Sequence, residues 1–228
     1  MFKQNTMKKL FSLIWVGLLV IGGSCKPRYN PHHVKYDAVT EQKIKQLYTQ
    51  LGSYELSYPI FKKAMFGFYH LNYSKKRFIT IVDFTKPASQ HRFFVIDLKR
   101  RKIRYKTWVA HGKNSGNLIY ATRFSNRNGS KMSSLGFYKT AETYRGKHGY
   151  SLKLDGLEKG INHRARRRYI VIHGAKYVNA SYVGRSWGCP ALPVHLATPI
   201  IKKIKRGSCV FIYANDRQYL AKSKYLVQ

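Results

Sequence analysis

The chain has 228 residues, enough for one catalytic domain with a buried core, and shows no sign of a second domain of similar size. Its 43 Lys and Arg residues against 9 Asp and Glu give a formal net charge of +34. So few acids make a glycosidase carboxylate pair a poor explanation, and three cysteines are too few for a dense disulfide framework.

Residues 1–24 have the pattern of an export signal: two lysines, an apolar run and a stretch of small residues that ends before Cys25. The apolar run is too short to span a bilayer comfortably. A cysteine in this position resembles the lipidation site of bacterial lipoproteins, and cleavage near Ser24 to give a soluble secreted protein is the alternative. We therefore expect an exported envelope protein, either periplasmic or held at a membrane by a lipid on Cys25.

Two helices are predicted in the next segment, 25–77, which we assign to a linker and added helices. Apolar residues at helical spacing predict a helix over 39–51 that stops at Gly52. A second helix is predicted over 56–71, with a break around Gly67.

From residue 78 onward the sequence favours strands, and we place the catalytic domain at 78–216 and a C-terminal tail at 217–228. An Asn-, Ser- and Gly-rich segment, 113–130, is predicted to be a structured surface loop. Short strands separated by turns predict a mainly β fold, a sandwich or an open barrel with a few peripheral helices. The predicted strands are 78–82, 92–98, 103–110, 134–138, 150–154, 169–172 and 209–213, and one helix is predicted over 194–204.

Basic clusters at 99–102, 164–168 and 202–206 have the composition of a nucleic-acid surface. An exported protein rarely meets nucleic acid, so we expect no nucleic-acid partner. The partner predicted from charge is the anionic surface of the cell envelope. For any single cluster, a solvated basic face is the simpler explanation.

Cys189 and His173 are the candidate nucleophile and base. His173 ends an apolar run, and Cys189 follows Gly188 just before the predicted helix. There, main-chain N–H groups and the helix N-terminus are expected to lower the thiol pKa and to stabilise an oxyanion. Cys209 lies in an apolar run and is expected to be a buried inert thiol, although a Cys189–Cys209 disulfide stays open.

Two other chemistries fit the same region less well. Residues 184–188 match the Gly-x-Ser-x-Gly pattern of serine hydrolases, but the acid and histidine that should follow come in the wrong order. A metal site would draw on His163, His173 and Cys189 with His148 or Asp155, at spacings unlike those of known zinc motifs. We therefore expect neither a metal nor another cofactor.

These residues resemble the murein L,D-transpeptidase catalytic-domain family, in a divergent branch with Ser-Trp-Gly-Cys-Pro. The likeness covers about residues 93–213 and matches that family's motif at His173, Gly174, Ser186, Gly188 and Cys189. The chain departs from the motif at Trp187, where the family has His or Arg, and at Pro190-Ala191, where the following Arg or Asn is lost. Arg185 and Trp187 are therefore the candidates for contacts with substrate.

The resemblance implies an L,D-transpeptidase-like fold and acyl transfer on peptidoglycan stem peptides through a thioester on Cys189. His173 would accept the thiol proton, the Gly174 carbonyl would orient its ring, Ser186 would support the segment, and N–H groups around Gly188 would hold the oxyanion. An L,D-carboxypeptidase or related murein amide hydrolase would use the same residues. A non-catalytic basic protein that binds the wall is a further alternative.

Overall fold

The computed structural model describes residues 38–226. The predicted export signal and Cys25 lie outside these residues. None of the helices within 38–226 has the length and apolar character needed to cross a membrane.

The two helices at the start of the described chain agree closely with the sequence. Helix α1 spans Ala38–Leu51 and α2 spans Tyr58–His70. Gly67 does not break α2, so that part of the prediction was wrong. The Phe137 ring packs directly on Gly67, where a Cβ would overlap it. Gly67 is thus a position in the intact helix α2 against which the sheet packs.

The remaining elements form one eight-stranded sheet with two further helices. The strand order is β3-β2-β1-β8-β4-β5-β6-β7, and helix α3 lies between β7 and β8 in the chain, with α4 after β8. The strands are β1 (Phe78–Asp83), β2 (Phe93–Asp97), β3 (Lys102–Thr107), β4 (Gly136–Gly146), β5 (Gly149–Gly156), β6 (Val171–Gly174), β7 (Ala191–Leu192) and β8 (Cys209–Tyr213), and the helices are α3 (Val194–Ile204) and α4 (Arg217–Lys222).

The centre of the sheet carries the core. Strands β1, β2 and β8 are buried along their whole length, as their continuous apolar sequences require. The two ends of the sheet also meet, because Ala110, just beyond β3, bridges Ala191 in β7. The sheet is therefore nearly closed and barrel-like, and the predicted mainly β fold with a few helices is confirmed.

Several boundaries differ from the sequence prediction, among them β6, which spans Val171–Gly174 rather than 169–172. Strand β3 ends at Thr107 rather than 110, because the chain leaves β2 there and turns toward β7. Strand β4 runs on to Gly146, well past the predicted end at 138. The two residues of β7 were missed, since a strand this short between Pro190 and Pro193 has no periodic signal.

The predicted C-terminal tail, 217–228, contains the short helix α4. Asp216 caps it by accepting a hydrogen bond from the Tyr219 N–H, and the Tyr219 side chain is buried. Glu158 joins this segment to the sheet: one carboxylate oxygen accepts from the Phe137 N–H at 2.7 Å and the other from the Ser223 hydroxyl. The end of the described chain is thus part of the folded domain.

Candidate active site

His173 lies near the end of β6 with its side chain almost fully buried. Its Nδ1 is 3.0 Å from the carbonyl oxygen of Gly174, which fits an Nδ1–H donor and leaves Nε2 with a free lone pair. Burial lowers the pKa of His173, so the imidazole is neutral near pH 7. A neutral ring of fixed tautomer is what a general base needs.

Cys189 lies on the segment that leads into β7. Strands β6 and β7 are parallel, with His173 opposite Ala191, so Cys189 lies beside the start of β6. Its Sγ is 3.5 Å from the carbonyl oxygen of Tyr169. Cys189 and Cys209 are both free, so the disulfide between them is excluded in this structure, and Cys209 is buried in β8 as expected.

The expected low pKa of the Cys189 thiol is not found. Burial raises it above its ordinary value, and the Val171 N–H and the Arg168 charge offset this only in part. The helix expected to help begins at Val194, with β7 between it and the cysteine. Cys189 therefore lies outside the first turn of that helix, where the field of a helix N-terminus is strongest.

The loop that carries Cys189 is held from within by Ser186 and Gly188. The Ser186 hydroxyl donates to the Cys189 carbonyl oxygen at 2.7 Å and accepts from the Gly188 N–H at 3.0 Å. Gly188 has φ +120°, and a Cβ there would lie 2.6 Å from the Met132 carbonyl oxygen. The Gly188 N–H is therefore engaged by Ser186 and is not free to hold an oxyanion.

Arg92 and His111 form a buried pair that contacts the loop carrying Cys189. The sequence analysis did not identify either residue as functional. Arg92 donates to the Val109 carbonyl oxygen and approaches His111 Nδ1 at 2.9 Å. Burial and the Arg92 charge lower the pKa of His111 to about 4, so His111 is neutral and accepts from the guanidinium. The His111 carbonyl oxygen in turn accepts from the Ser186 N–H at 2.8 Å. The burial of Arg92 is the feature that indicates this supporting role, and the sequence does not show which arginine is buried.

Arg168 is a second residue whose role the sequence did not reveal. Its guanidinium donates to the carbonyl oxygens of Ser125 and Met132, and its charge favours the thiolate of Cys189. In the sequence it is one cation of the basic run 164–168 and nothing distinguishes it from its neighbours. In the structure it is the member of that run that turns inward.

The two candidate substrate contacts differ in their surroundings. Arg185 donates to the carbonyl oxygens of Lys113 and Gly116 at 3.1 and 3.2 Å, so it braces the loop that follows β3. Trp187 is 70% exposed, with the ammonium groups of Lys131 and Lys147 at 4.9 and 5.9 Å from its ring centre. Trp187 thus offers an open aromatic surface beside Cys189.

The residues considered as metal ligands do not form one cluster. Asp155 is paired with Arg166, His163 lies 2.9 Å from the Asn126 amide, and His148 stacks on His173 with 4.3 Å between ring centres. Across residues 38–226 there is no group of three or more potential ligands. His148 nevertheless reaches the site, through a ring contact that sequence spacing does not predict.

A cavity of about 340 Å³ lies against the start of β6, and neither Cys189 nor His173 is among its lining residues. Its walls include Tyr169 and Val171, the residues whose main-chain groups approach the Cys189 sulfur. Tyr169 is 81% exposed and has φ +55°, a conformation rare for an aromatic residue and found most often where function requires it. The other lining residues are Tyr144, Lys153, Arg166 and Ile170.

Cys189, on the segment that enters β7, and the neutral His173 in β6 lie on neighbouring parts of a mainly β domain, an arrangement that fits cysteine acyl-transfer chemistry. A family model described as the L,D-transpeptidase catalytic domain matches residues 53–213. The match covers well over half of the sequence, and the chain therefore belongs to the L,D-transpeptidase catalytic-domain family. No curated protein matches the sequence.

Several solved structures are similar to this chain at low identity. An L,D-transpeptidase from Mycobacterium smegmatis shares 12% identity over 60% of this chain and 59% of its own, with a TM-score of 0.40. L,D-transpeptidase 3 from Mycobacterium tuberculosis shares 12% sequence identity over 60% of this chain and 61% of its own, with a TM-score of 0.39. An L,D-transpeptidase from Stackebrandtia nassauensis shares 16% sequence identity over 80% of this chain and 82% of its own, with a TM-score of 0.38. The chain spans about three fifths of the length of the two mycobacterial proteins.

Proposed function

We propose that this protein is a cysteine L,D-transpeptidase that acts on peptidoglycan stem peptides in the bacterial envelope. The observation that carries the proposal is the placement of the Cys189 thiol beside β6, the strand that carries the neutral, tautomer-fixed His173, within a domain of this family. A nearby cavity supports it, because its walls include Tyr169 and Val171, which also contact the Cys189 sulfur, and a peptide substrate needs a binding surface near the nucleophile.

Proton transfer is part of the first chemical step in this proposal. The raised pKa of Cys189 and the lowered pKa of His173 both favour the uncharged pair at rest. The S–H group turns from the Tyr169 carbonyl toward His173 Nε2, which takes the proton as sulfur attacks the peptide carbonyl carbon. Arg168 stabilises the developing thiolate, and the Cys189 N–H donates to the oxyanion.

The remaining steps return the site to its starting state. The tetrahedral intermediate collapses to a thioester as the C–N bond breaks, and His173 gives its proton to the departing amine. An amine of a second stem peptide then attacks the thioester and His173 takes the amine proton. The C–S bond breaks as His173 passes that proton to sulfur, which releases a cross-linked product and the Cys189 thiol. Water in place of the amine would give the carboxypeptidase or hydrolase reaction at the same residues.

The product decides between these outcomes. Purified protein is incubated with stem peptides or sacculi, and the muropeptides are analysed by mass spectrometry. We expect cross-linked dimers with the wild type and none with Cys189→Ala or His173→Ala. Shortened monomers without dimers would replace the transpeptidase by a hydrolase, and sacculus binding unchanged in Cys189→Ala without any wild-type product would leave a wall-binding protein.

The proposal includes export and contact with the anionic envelope. Residues 1–24 supply the signal, Cys25 is the proposed acylation site, and the net charge of +34 favours binding to phosphate- and carboxylate-rich surfaces. Peptidoglycan is the proposed substrate and partner.

A further inference from the structure

The tip of the β4–β5 hairpin reaches the active site. Gly146 pairs with Gly149 across the hairpin, so Lys147 and His148 form a two-residue turn. The rings of His148 and His173 stack with centres 4.3 Å apart and planes 25° apart. Lys147 lies over the ring of Trp187, next to Cys189. One turn therefore contacts both the base and the loop of the nucleophile.

We propose that His148 is a positioning residue for His173, packing on one face of the imidazole and holding the ring in the plane set by its contact with the Gly174 carbonyl. The inference rests on the proposed role of His173 as the base. The Gly174 contact restrains only one ring nitrogen. The stacked ring supplies a second restraint, against rotation out of that plane, and so limits the directions in which Nε2 can point.

The hairpin tip also favours the neutral form of His173. The groups of helix α3 nearest to Gly174 are the apolar Val194 and Ala197. The charges that act on the imidazole come from the tip, where His148 and Lys147 both lower the pKa of His173 in addition to burial. Loss of the His148 ring removes both shielding and a neighbouring charge, so it raises that pKa toward the ordinary value.

The test uses the full chain and two substitutions at one position. His148→Phe keeps an aromatic face without charge, and His148→Ala removes the ring. The pKa of His173 is measured by NMR titration of its ring proton, and the rate of Cys189 acylation by a carbapenem is followed by intact-protein mass spectrometry. We expect His148→Ala to raise the pKa of His173 toward 6.5 and to slow acylation roughly ten-fold or more, because the base loses its alignment.

His148→Phe should restore most of the rate and keep the pKa of His173 below 6.5, since the stack still excludes water. The matched control is Arg145→Ala, on the same hairpin, whose guanidinium lies near Tyr150. It should leave the pKa of His173 and the rate of Cys189 acylation unchanged.

The inference is overturned if His148→Ala has the same His173 pKa and acylation rate as the wild type, or if His148→Phe acylates as slowly as His148→Ala. Failure of the wild type to acylate would instead contradict the proposed function, and the titration would still decide the inference.

Discussion

The protonation states of Cys189 and His173 determine how the proposed reaction begins. Burial pushes both groups toward their neutral forms, so the resting site holds a thiol and an imidazole rather than an ion pair. Arg168 and the Val171 N–H favour the thiolate once it forms. Activation therefore depends on the alignment of the base more than on a preformed thiolate, and the backbone at the cysteine must be held closely.

Gly188 is the residue most sensitive to that requirement. We predict that Gly188→Ala slows acylation of Cys189 by roughly a hundred-fold, because the new Cβ would press on the Met132 carbonyl oxygen and displace the loop. The positive φ adds a cost of about 1–3 kcal/mol to folding. Acylation kinetics by mass spectrometry and thermal unfolding separate these two effects.

Gly129→Ala is the matched control, since Gly129 also has positive φ but has open space around its Cβ position. It should cost stability without slowing acylation. An equal loss of rate in both variants, or in neither, would show that crowding at Gly188 does not position the nucleophile.

At the scale of elements, the sequence predicts the bounds of a helix or strand well where its apolar residues follow one regular spacing. Helix α3 and the buried strand β8 lie at the predicted bounds, because their apolar patterns are unbroken. The length of β4 was not predictable, since its far half is exposed and its pairing with β5 sets its end. The Cys189 and His173 pair is predicted from residue type and order, whereas the contacts of Arg92, Arg168 and His148 join distant segments and leave no signal in the sequence.

Glu158 makes the attachment of α4 sensitive to pH. Burial raises the pKa of this carboxyl to about 7 from an ordinary value of 4.5, so the folded state holds its proton more tightly than the unfolded state. The stability it contributes is complete below about pH 4.5 and is lost as the pH rises to about 7, on the order of 3 kcal/mol in all. Glu158→Gln keeps hydrogen-bonding groups at this position, and its amide does not ionise between pH 5 and pH 8.

We therefore predict that the unfolding free energy of Glu158→Gln, relative to wild type, increases between pH 5 and pH 8 in urea titrations. Glu142→Gln is the control, because Arg166 lowers the pKa of the exposed Glu142 carboxyl to about 2 and its titration is complete below this range. Its difference from wild type should stay constant from pH 5 to pH 8. A constant difference for Glu158→Gln as well would contradict the assignment of a raised pKa.

At the scale of the whole molecule, the contacts that close the sheet also hold the loop that carries Cys189. The bridge between Ala110 and Ala191 joins the two ends of the sheet, and the adjacent bridge between Gly112 and Ser186 carries that closure to the nucleophile loop. The few acids within the described chain are largely committed to contacts, as with Asp97 to Arg77 and Asp155 to Arg166. In the proposed function, the remaining positive charge attracts the protein to the anionic envelope.

The central claim is that Cys189 forms a thioester with a stem peptide and that His173 is its base. The most direct measurement is intact-protein mass spectrometry of the purified chain after incubation with a tetrapeptide stem, followed by peptide mapping of the modified residue. The account predicts an acyl adduct on Cys189 in the wild type, lost in Cys189→Ala and strongly slowed in His173→Ala, with folded protein in every case. Adduct formation in Cys189→Ala, or an unreactive but folded wild-type protein, would contradict it.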